Sequence, residues 1–241
     1  FGNIPKRSMI PRSRIAAFVL FVPALIWPAS ASFDPTVLRL VDHSNKNFLF
    51  RGNLPIVDHK YSYDELLGAM RETAKGEQIS FPSEVLLFDL SFIQEEEGQP
   101  IIDDFFNAHP ELGTALHWPL LGDLLPPFAL SPPIRSFMAR HVPYWQRDHL
   151  YRRLNNLRTV LLQEADDRSK VVYAHCHAGV DRTGEFIGAY RMAFQNATFQ
   201  EVYKDNTQIG GRPIAPNCLY ALQWYCLYLT ESGISPGDCS L

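Results

Sequence analysis

The sequence predicts an α/β domain in which a central, mostly parallel sheet is flanked by helices on both faces. Short apolar runs of strand length recur at Val85 to Leu90, Thr114 to Trp118 and Val171 to Ala174. Between and after them lie segments whose apolar residues fall at helical spacing, so strands alternate with helices. Of 241 residues, 46% are hydrophobic and 20% charged, enough for one domain with a substantial core. No internal repeat or low-complexity stretch interrupts it.

Taken in chain order, residues 1–31 stand apart. Lys6, Arg7, Arg12 and Arg14 precede the apolar run Ile15 to Trp27, and Ala29-Ser30-Ala31 follows as a small-residue cleavage site. This is the pattern of a signal peptide, or of a signal anchor if the segment is retained. The chain begins with Phe1 rather than methionine, so it reads as a piece of a longer one. Cleavage after Ala31 removes four cations and no anions, taking the formal charge from −4 to −8.

Ser62 to Ala74 reads as a helix with a serine cap and with Leu66, Leu67 and Met70 on one side. Ser91 to Asp104, with Glu95-Glu96-Glu97-Gly98, reads as a solvated loop. Pro126, Pro127, Pro132 and Pro133 mark an ordered lid or the start of a helix. Tyr144 to Leu162 is expected to be helical, with Leu150, Leu154, Leu157 and Leu161 on a core-facing stripe. A Gly-rich turn at Gln208 to Ile214 separates two further helices, the last over Pro216 to Leu229.

The chemistry is concentrated in His175-Cys176-His177-Ala178-Gly179-Val180-Asp181-Arg182-Thr183-Gly184. It follows an apolar strand and opens a segment, Thr183 to Gln195, with Phe186, Ile187, Tyr190 and Phe194 at helical spacing. A thiolate nucleophile needs its anion favoured, because free cysteine titrates near 8.5. Backbone N–H groups of residues 177–181 can wrap into an anion-binding concavity at a helix N-terminus, which favours both a thiolate and a bound phosphate. Arg182 adds a planar fork for two phosphate oxygens. Thr183 offers a hydroxyl to the sulfur, and Gly179 and Gly184 let the backbone turn and approach closely. The bland reading is an inert buried cysteine in a strand-to-helix turn.

This His-Cys, five residues, Arg-Thr-Gly pattern resembles the signature of the cysteine-based protein tyrosine phosphatase superfamily, especially its dual-specificity and lipid-phosphatase branches. The resemblance extends from Asn47 to about Thr230. Asn47 to Pro55 looks like the segment that opens many small phosphatase domains, where an exposed arginine and a turn follow the first strand. Ala115 to Leu120 looks like the strand leading to a general-acid loop, with the acid in Asp123-Leu124-Leu125-Pro126-Pro127. It implies residues 32–241 form a single phosphatase-like catalytic domain.

The implied activity is phosphomonoester hydrolysis through a phosphocysteine. Cys176 is the nucleophile, Arg182 the phosphate clamp and Asp123 the general acid. His177, Ala178, Gly179, Val180, Asp181, Thr183 and Arg212 are the substrate-binding candidates. Asp123 lies 53 residues before Cys176, more than the family usually shows, and Asp148 is the rival acid. The resemblance gives Asp181 the role of orienting Arg182 or of handling a water, and its bland reading is a structural cap that pairs with Arg182. His175 and Lys204 are further rim candidates. No cofactor or metal is called for, since preorganised donors supply the charge stabilisation.

Substrate class stays open. The loop carries His177 and Val180 where many phosphoinositide-directed relatives carry lysines, which favours a phosphorylated protein or a simple phosphomonoester over an inositol phosphate or phosphoinositide. A module that binds phosphorylated ligands without turnover and a sulfurtransferase are the competing classes. An acidic chain is a poor nucleic-acid partner, and membrane contact is expected only if the leader is kept as an anchor. Asn196-Ala197-Thr198 is a glycosylation sequon, consistent with a secreted or lumenal location. Cys218 and Cys226 would sit about 12 Å apart on one helix and cannot pair there. Cys239 can bridge either, or all three can remain reduced.

Overall fold

The computed structural model describes residues 33–44, 46–92, 98–164 and 167–241. The leader-like segment 1–31 lies outside the described residues. Five strands form one sheet: β1 (Arg39–Ser44), β2 (Asn47–Asn53), β5 (Val85–Ser91), β6 (Gly113–His117) and β7 (Ser169–Cys176). Their order is β1-β2-β7-β5-β6, with β1 antiparallel and the other neighbours parallel. A small hairpin, β3 (Ile56–Val57) and β4 (Lys60–Tyr61), stands beside it.

The middle strand β7 is closed in on both faces. Val171, Val172, Tyr173, Ala174 and Cys176 are at most 3% exposed, as expected for a parallel strand covered on both sides. Register puts Asn53 opposite Cys176 and Ser91 opposite His175, so β2, β5 and β7 end together. Cys176 thus stands at the carboxyl end of the central strand, where the chain order switches. Open α/β sheets bind ligands at such points.

The sheet is flanked by helices: α1 (Tyr63–Gly76), α2 (Gln99–Ala108), α3 (Pro132–Arg140), α4 (Val142–Trp145), α5 (Leu150–Leu162), α6 (Asp181–Phe194), α7 (Phe199–Gly210) and α8 (Pro216–Glu231). Helix α6 is buried nearly all round, from Thr183 to Tyr190 and at Met192. It packs on β2 and β7 on one side and on α7 and α8 on the other. Each large apolar side chain it encloses, such as Phe186, contributes roughly 1.5–3 kcal/mol.

Two expectations are corrected. The Glu-rich stretch does not run on as a loop to Asp104: Gln99–Ala108 is helix α2, with Pro100 in its first turn. Ile102 and Phe106 are buried, and Phe105 packs on Tyr61 with ring centroids 4.7 Å apart. Helical spacing of apolar residues outweighed the acidic run before them. The helix expected over Tyr144 to Leu162 is broken at residues 146–149, between α4 and α5. His149 adopts a left-handed φ of 49° there, and Asp148 turns its carboxylate onto backbone amides of a distant loop. Ser62 precedes α1 as expected but makes no side-chain capping bond.

Candidate active site

Residues 177–180 connect β7 to α6, and the hydrogen bonds behind this loop determine its inner face. The His177 carbonyl accepts from Leu54 N–H at 3.2 Å. The Gly179 carbonyl accepts from Arg51 Nη2 at 2.6 Å, and the Val180 carbonyl from Asn206 Nδ2 at 3.1 Å. Arg51 also donates to Asn206 Oδ1 at 2.7 Å, joining the two braces. In a trans peptide the carbonyl and the next N–H point in opposite directions. With these three carbonyls held from behind, the N–H groups of Ala178, Val180 and Asp181 face the other way, into the loop. That is the concavity an anion requires, and it lies at the N-terminus of α6.

Gly179 is required twice over. Its φ is +70°, and a Cβ there would stand 2.6 Å from the Gly52 carbonyl oxygen. Beneath the loop, His175 Nε2 is 2.7 Å from Asp89 Oδ1, while the Tyr61 hydroxyl donates to Asp89 Oδ2 at 2.7 Å. His175 is therefore a buried support and not a rim group. Burial, then the Asp89 charge, pushes the Tyr61 hydroxyl well above its ordinary pKa, so it remains a donor.

Arg182 leaves the first turn of α6 and donates through Nε to the Leu120 carbonyl at 3.1 Å. This laces the arginine to the segment 119–123 that carries Asp123. The same segment is held by Arg153 on the Pro119 carbonyl (2.8 Å), and by Asp148 Oδ2 accepting from the N–H groups of Leu121 (2.7 Å) and Gly122 (3.0 Å). Asp123 N–H donates to the Asn217 carbonyl at 2.9 Å. Gly122, at φ +71°, permits this approach because a Cβ would lie 2.8 Å from that carbonyl.

The two acid candidates thus take different places. Asp148, 5% exposed, is spent on holding the segment by its amides. Asp123 keeps a lighter contact, Gln146 Nε2 at 3.4 Å from Oδ2. Partial burial raises its pKa, the Gln146 bond opposes the rise, and the Asp148 charge adds to it. A raised carboxyl pKa keeps a donor proton available closer to neutral pH.

Asp181 and Arg212 are brought together. Arg212 grips the carboxylate with Nη1 at 2.8 Å and Nη2 at 2.6 Å, and Ala215 N–H donates to the same group at 2.7 Å. Burial alone would raise the Asp181 pKa, but the Arg212 and Ala215 hydrogen bonds bring it below the ordinary carboxylate range. This fork straps the start of α6 to the turn between α7 and α8. His177 is half-buried, Ala178 exposed and Val180 buried. The Thr183 hydroxyl is buried without a hydrogen-bond partner among the described residues, the Cys176 sulfur included.

Sequence reading missed three residues that shape the site. Arg51, placed by resemblance as exposed, is 4% exposed and braces the loop from β2. Asn206 does the same from α7. Glu185 is fully buried one turn beyond Arg182, with the Cys218 thiol beside its carboxyl. Burial first, then the Asp148 charge, pushes its pKa well above the usual range, with Cys218 and Arg182 offsetting part of the rise. The signal for Arg51 and Glu185 was a charged residue inside an otherwise apolar strand or helix, whereas Asn206 stands among polar neighbours on α7 and gave none. Among the cysteines, Cys226 and Cys239 form a disulfide with Cα atoms 5.8 Å apart, while Cys176 and Cys218 are free thiols.

No protein-family model matches the chain. No curated protein matches it either. Solved structures do resemble it. The core catalytic domain of the PP-IP phosphatase SIW14 from S. cerevisiae, in complex with citrate, is 17% identical, covers 80% of this chain and 85% of its own, and has a TM-score of 0.43. P. aeruginosa TpbA in complex with pTyr is 16% identical over 86% and 99%, with a TM-score of 0.45. The Cydia pomonella PTP-2 phosphatase is 16% identical over 76% and 88%, with a TM-score of 0.38. Likenesses this loose add no weight to a function, which has to come from the loop itself.

Proposed function

We propose that this chain is a phosphomonoester hydrolase working through a phosphocysteine. The observation that carries the reading is the loop whose His177, Gly179 and Val180 carbonyls are all bonded from behind, leaving amides directed inward beside Cys176. A phosphate dianion in that cup meets the loop amides and the Arg182 guanidinium. The Cys176 thiolate attacks phosphorus as the ester P–O bond breaks, and Asp123 delivers its proton to the departing oxygen. Water then attacks the phosphocysteine while Asp123 takes the proton back. The P–S bond breaks, orthophosphate leaves and the thiolate is regenerated. Stabilisation by preorganised donors is the main source of rate in such a site.

The substrate we favour is a phosphorylated protein side chain, on tyrosine or with dual specificity. Arg182 is the one fixed cation in the 176–182 loop, and Arg212 is engaged with Asp181. Around Asp123 the surface is apolar instead, with Leu124 91% exposed and Leu121 and Phe128 also outside. An aryl ring or peptide suits such a rim better than a highly charged headgroup. A secretory location accords with the Cys226–Cys239 disulfide, the exposed Asn196 of the sequon and the leader-like residues 1–31.

The test is hydrolysis of an aryl phosphate with EDTA present, followed by acid quench to trap phosphate on Cys176. Absence of turnover together with retained phosphate binding would convert the reading to a binding module. A panel of phosphotyrosine, phosphoserine and phosphoinositide substrates then chooses the class; preference for the phosphoinositide would overturn the substrate proposal alone.

A further inference from the structure

Behind the catalytic loop, on the side away from the Arg182 and Asp123 segment, a cavity of about 420 Å³ opens between β1, β2, α6 and α7. Its lining includes three arginines, Arg39, Arg51 and Arg191, together with Gln195 and Gln208, and a single carboxylate, Asp205. Asp205 accepts from Arg191 Nη1 at 2.8 Å. Arg39 is steadied by the Thr36 and Leu38 carbonyls, each at 2.7 Å, which satisfy hydrogen bonds without cancelling charge. The cavity therefore carries an excess of two positive charges.

Arg51 is the member of this cluster whose charge is buried. It is 4% exposed, and its Nε donor is buried with no partner among the described residues. Burial and the neighbouring Arg191 and Arg39 charges lower its pKa to about 10, against an opposing pull from Cys176, so it stays charged at neutral pH. A buried donor left without an acceptor keeps its desolvation penalty uncompensated. Guanidinium groups gathered around a concave space match the geometry of a phosphoryl group. A volume of this size suits a small ligand.

We propose that this cavity is a second anion site, which takes the dianionic phosphoryl group of a small ligand and abuts the rear of the catalytic loop through Arg51. It uses none of the residues that meet substrate in the front cup. Arg51 spans both regions: its Nη2 holds the Gly179 carbonyl while the side chain lines the cavity.

The experiment is calorimetric titration of the Cys176→Ser protein with inorganic pyrophosphate, repeated with Arg39→Gln and Arg191→Gln added. Two equivalents are expected in the first protein, and the added pair should weaken one of them about tenfold or more while sparing the other. One equivalent unaffected by the pair would overturn the second site and leave the catalytic reading standing. One equivalent abolished by the pair would support the second site and sink the catalytic cup. Amide shifts in the Cys176→Ser protein give an answer even if the added pair fails to fold. Shifts at residues 39–41 and 205–209 are expected, and shifts confined to 177–183 would end the proposal. Pelleting with phosphatidic acid vesicles separates the source: retention lost with the pair assigns the phosphoryl group to a lipid headgroup, and no retention assigns it to a soluble ligand.

Discussion

The loop after β7 and the segment that carries Asp123 meet at Arg182 but are built on opposite plans. Residues 175–184 are contiguous, rise from a buried strand and are braced from behind by buried polar side chains, Arg51 and Asn206. Residues 119–123 have no helix or strand of their own. They are suspended from Asp148, Arg153, Asn217 and Arg182, all distant in sequence. On the proposed reading the difference teaches that a nucleophile's cup can be encoded by local sequence, whereas a general acid is placed by tertiary contacts. Any suitable set of tertiary contacts does that.

Breaking the cup at its centre has the largest expected effect. Cys176→Ser should lower aryl phosphate turnover by about 10⁴-fold or more while phosphate binding persists. Turnover near the parent rate would remove the thiolate from the mechanism.

Asp123→Asn tests the suspended segment, with an expected loss of about 10²- to 10⁴-fold. As an acid Asp123 works only when protonated, so the rate falls as pH rises through its pKa, which partial burial raises. In the variant that alkaline limb should vanish. A pH–rate profile of unchanged shape would assign the acid elsewhere.

Arg51→Lys sharpens the contrast by weakening the brace without touching the front of the loop. A lysine keeps the charge but cannot span the Gly179 carbonyl and Asn206 as the guanidinium does. The expected cost is about 1–3 kcal/mol of stability and a fall in kcat larger than any rise in KM. Denaturant unfolding and steady-state kinetics check both, and unchanged kcat would show that the brace is dispensable.

The smallest effect concerns Glu185, beneath the meeting point of the two regions. Its folded pKa is raised well above the unfolded value of about 4.3. Below that value the carboxyl is neutral in both states and costs nothing. As pH rises toward the folded pKa, the unfolded chain ionises first and stability declines, by at most about 1.4 kcal/mol per pH unit. Glu185→Gln should flatten that decline in thermal melts across pH 4–8. An identical slope would show that the residue ionises equally easily in both states.

How much was legible follows the same division. The α/β class, the strand at Val171 to Ala174, the loop and the helix after it were readable because each depends on neighbours within a few residues. The helix at Gln99–Ala108 was obscured because charge density before it masked an apolar stripe that only shows its worth against Tyr61. The break at residues 146–149 was hidden because its stabilising bonds run to Leu121 and Gly122, more than twenty residues away.

By itself the sequence determined which strand ends in Cys176, where the tight loop after it lies and which arginine opens the next helix, since hydrophobic periodicity and a tight glycine turn are local properties. Only the tertiary structure decided that Asp148 is engaged by the Leu121 and Gly122 amides, that Arg51 is a buried brace, and that Arg212 is taken up by Asp181. Those assignments depend on burial and on partners from remote elements. A side chain's desolvation and hydrogen-bond partners exist only once the sheet and helices have packed.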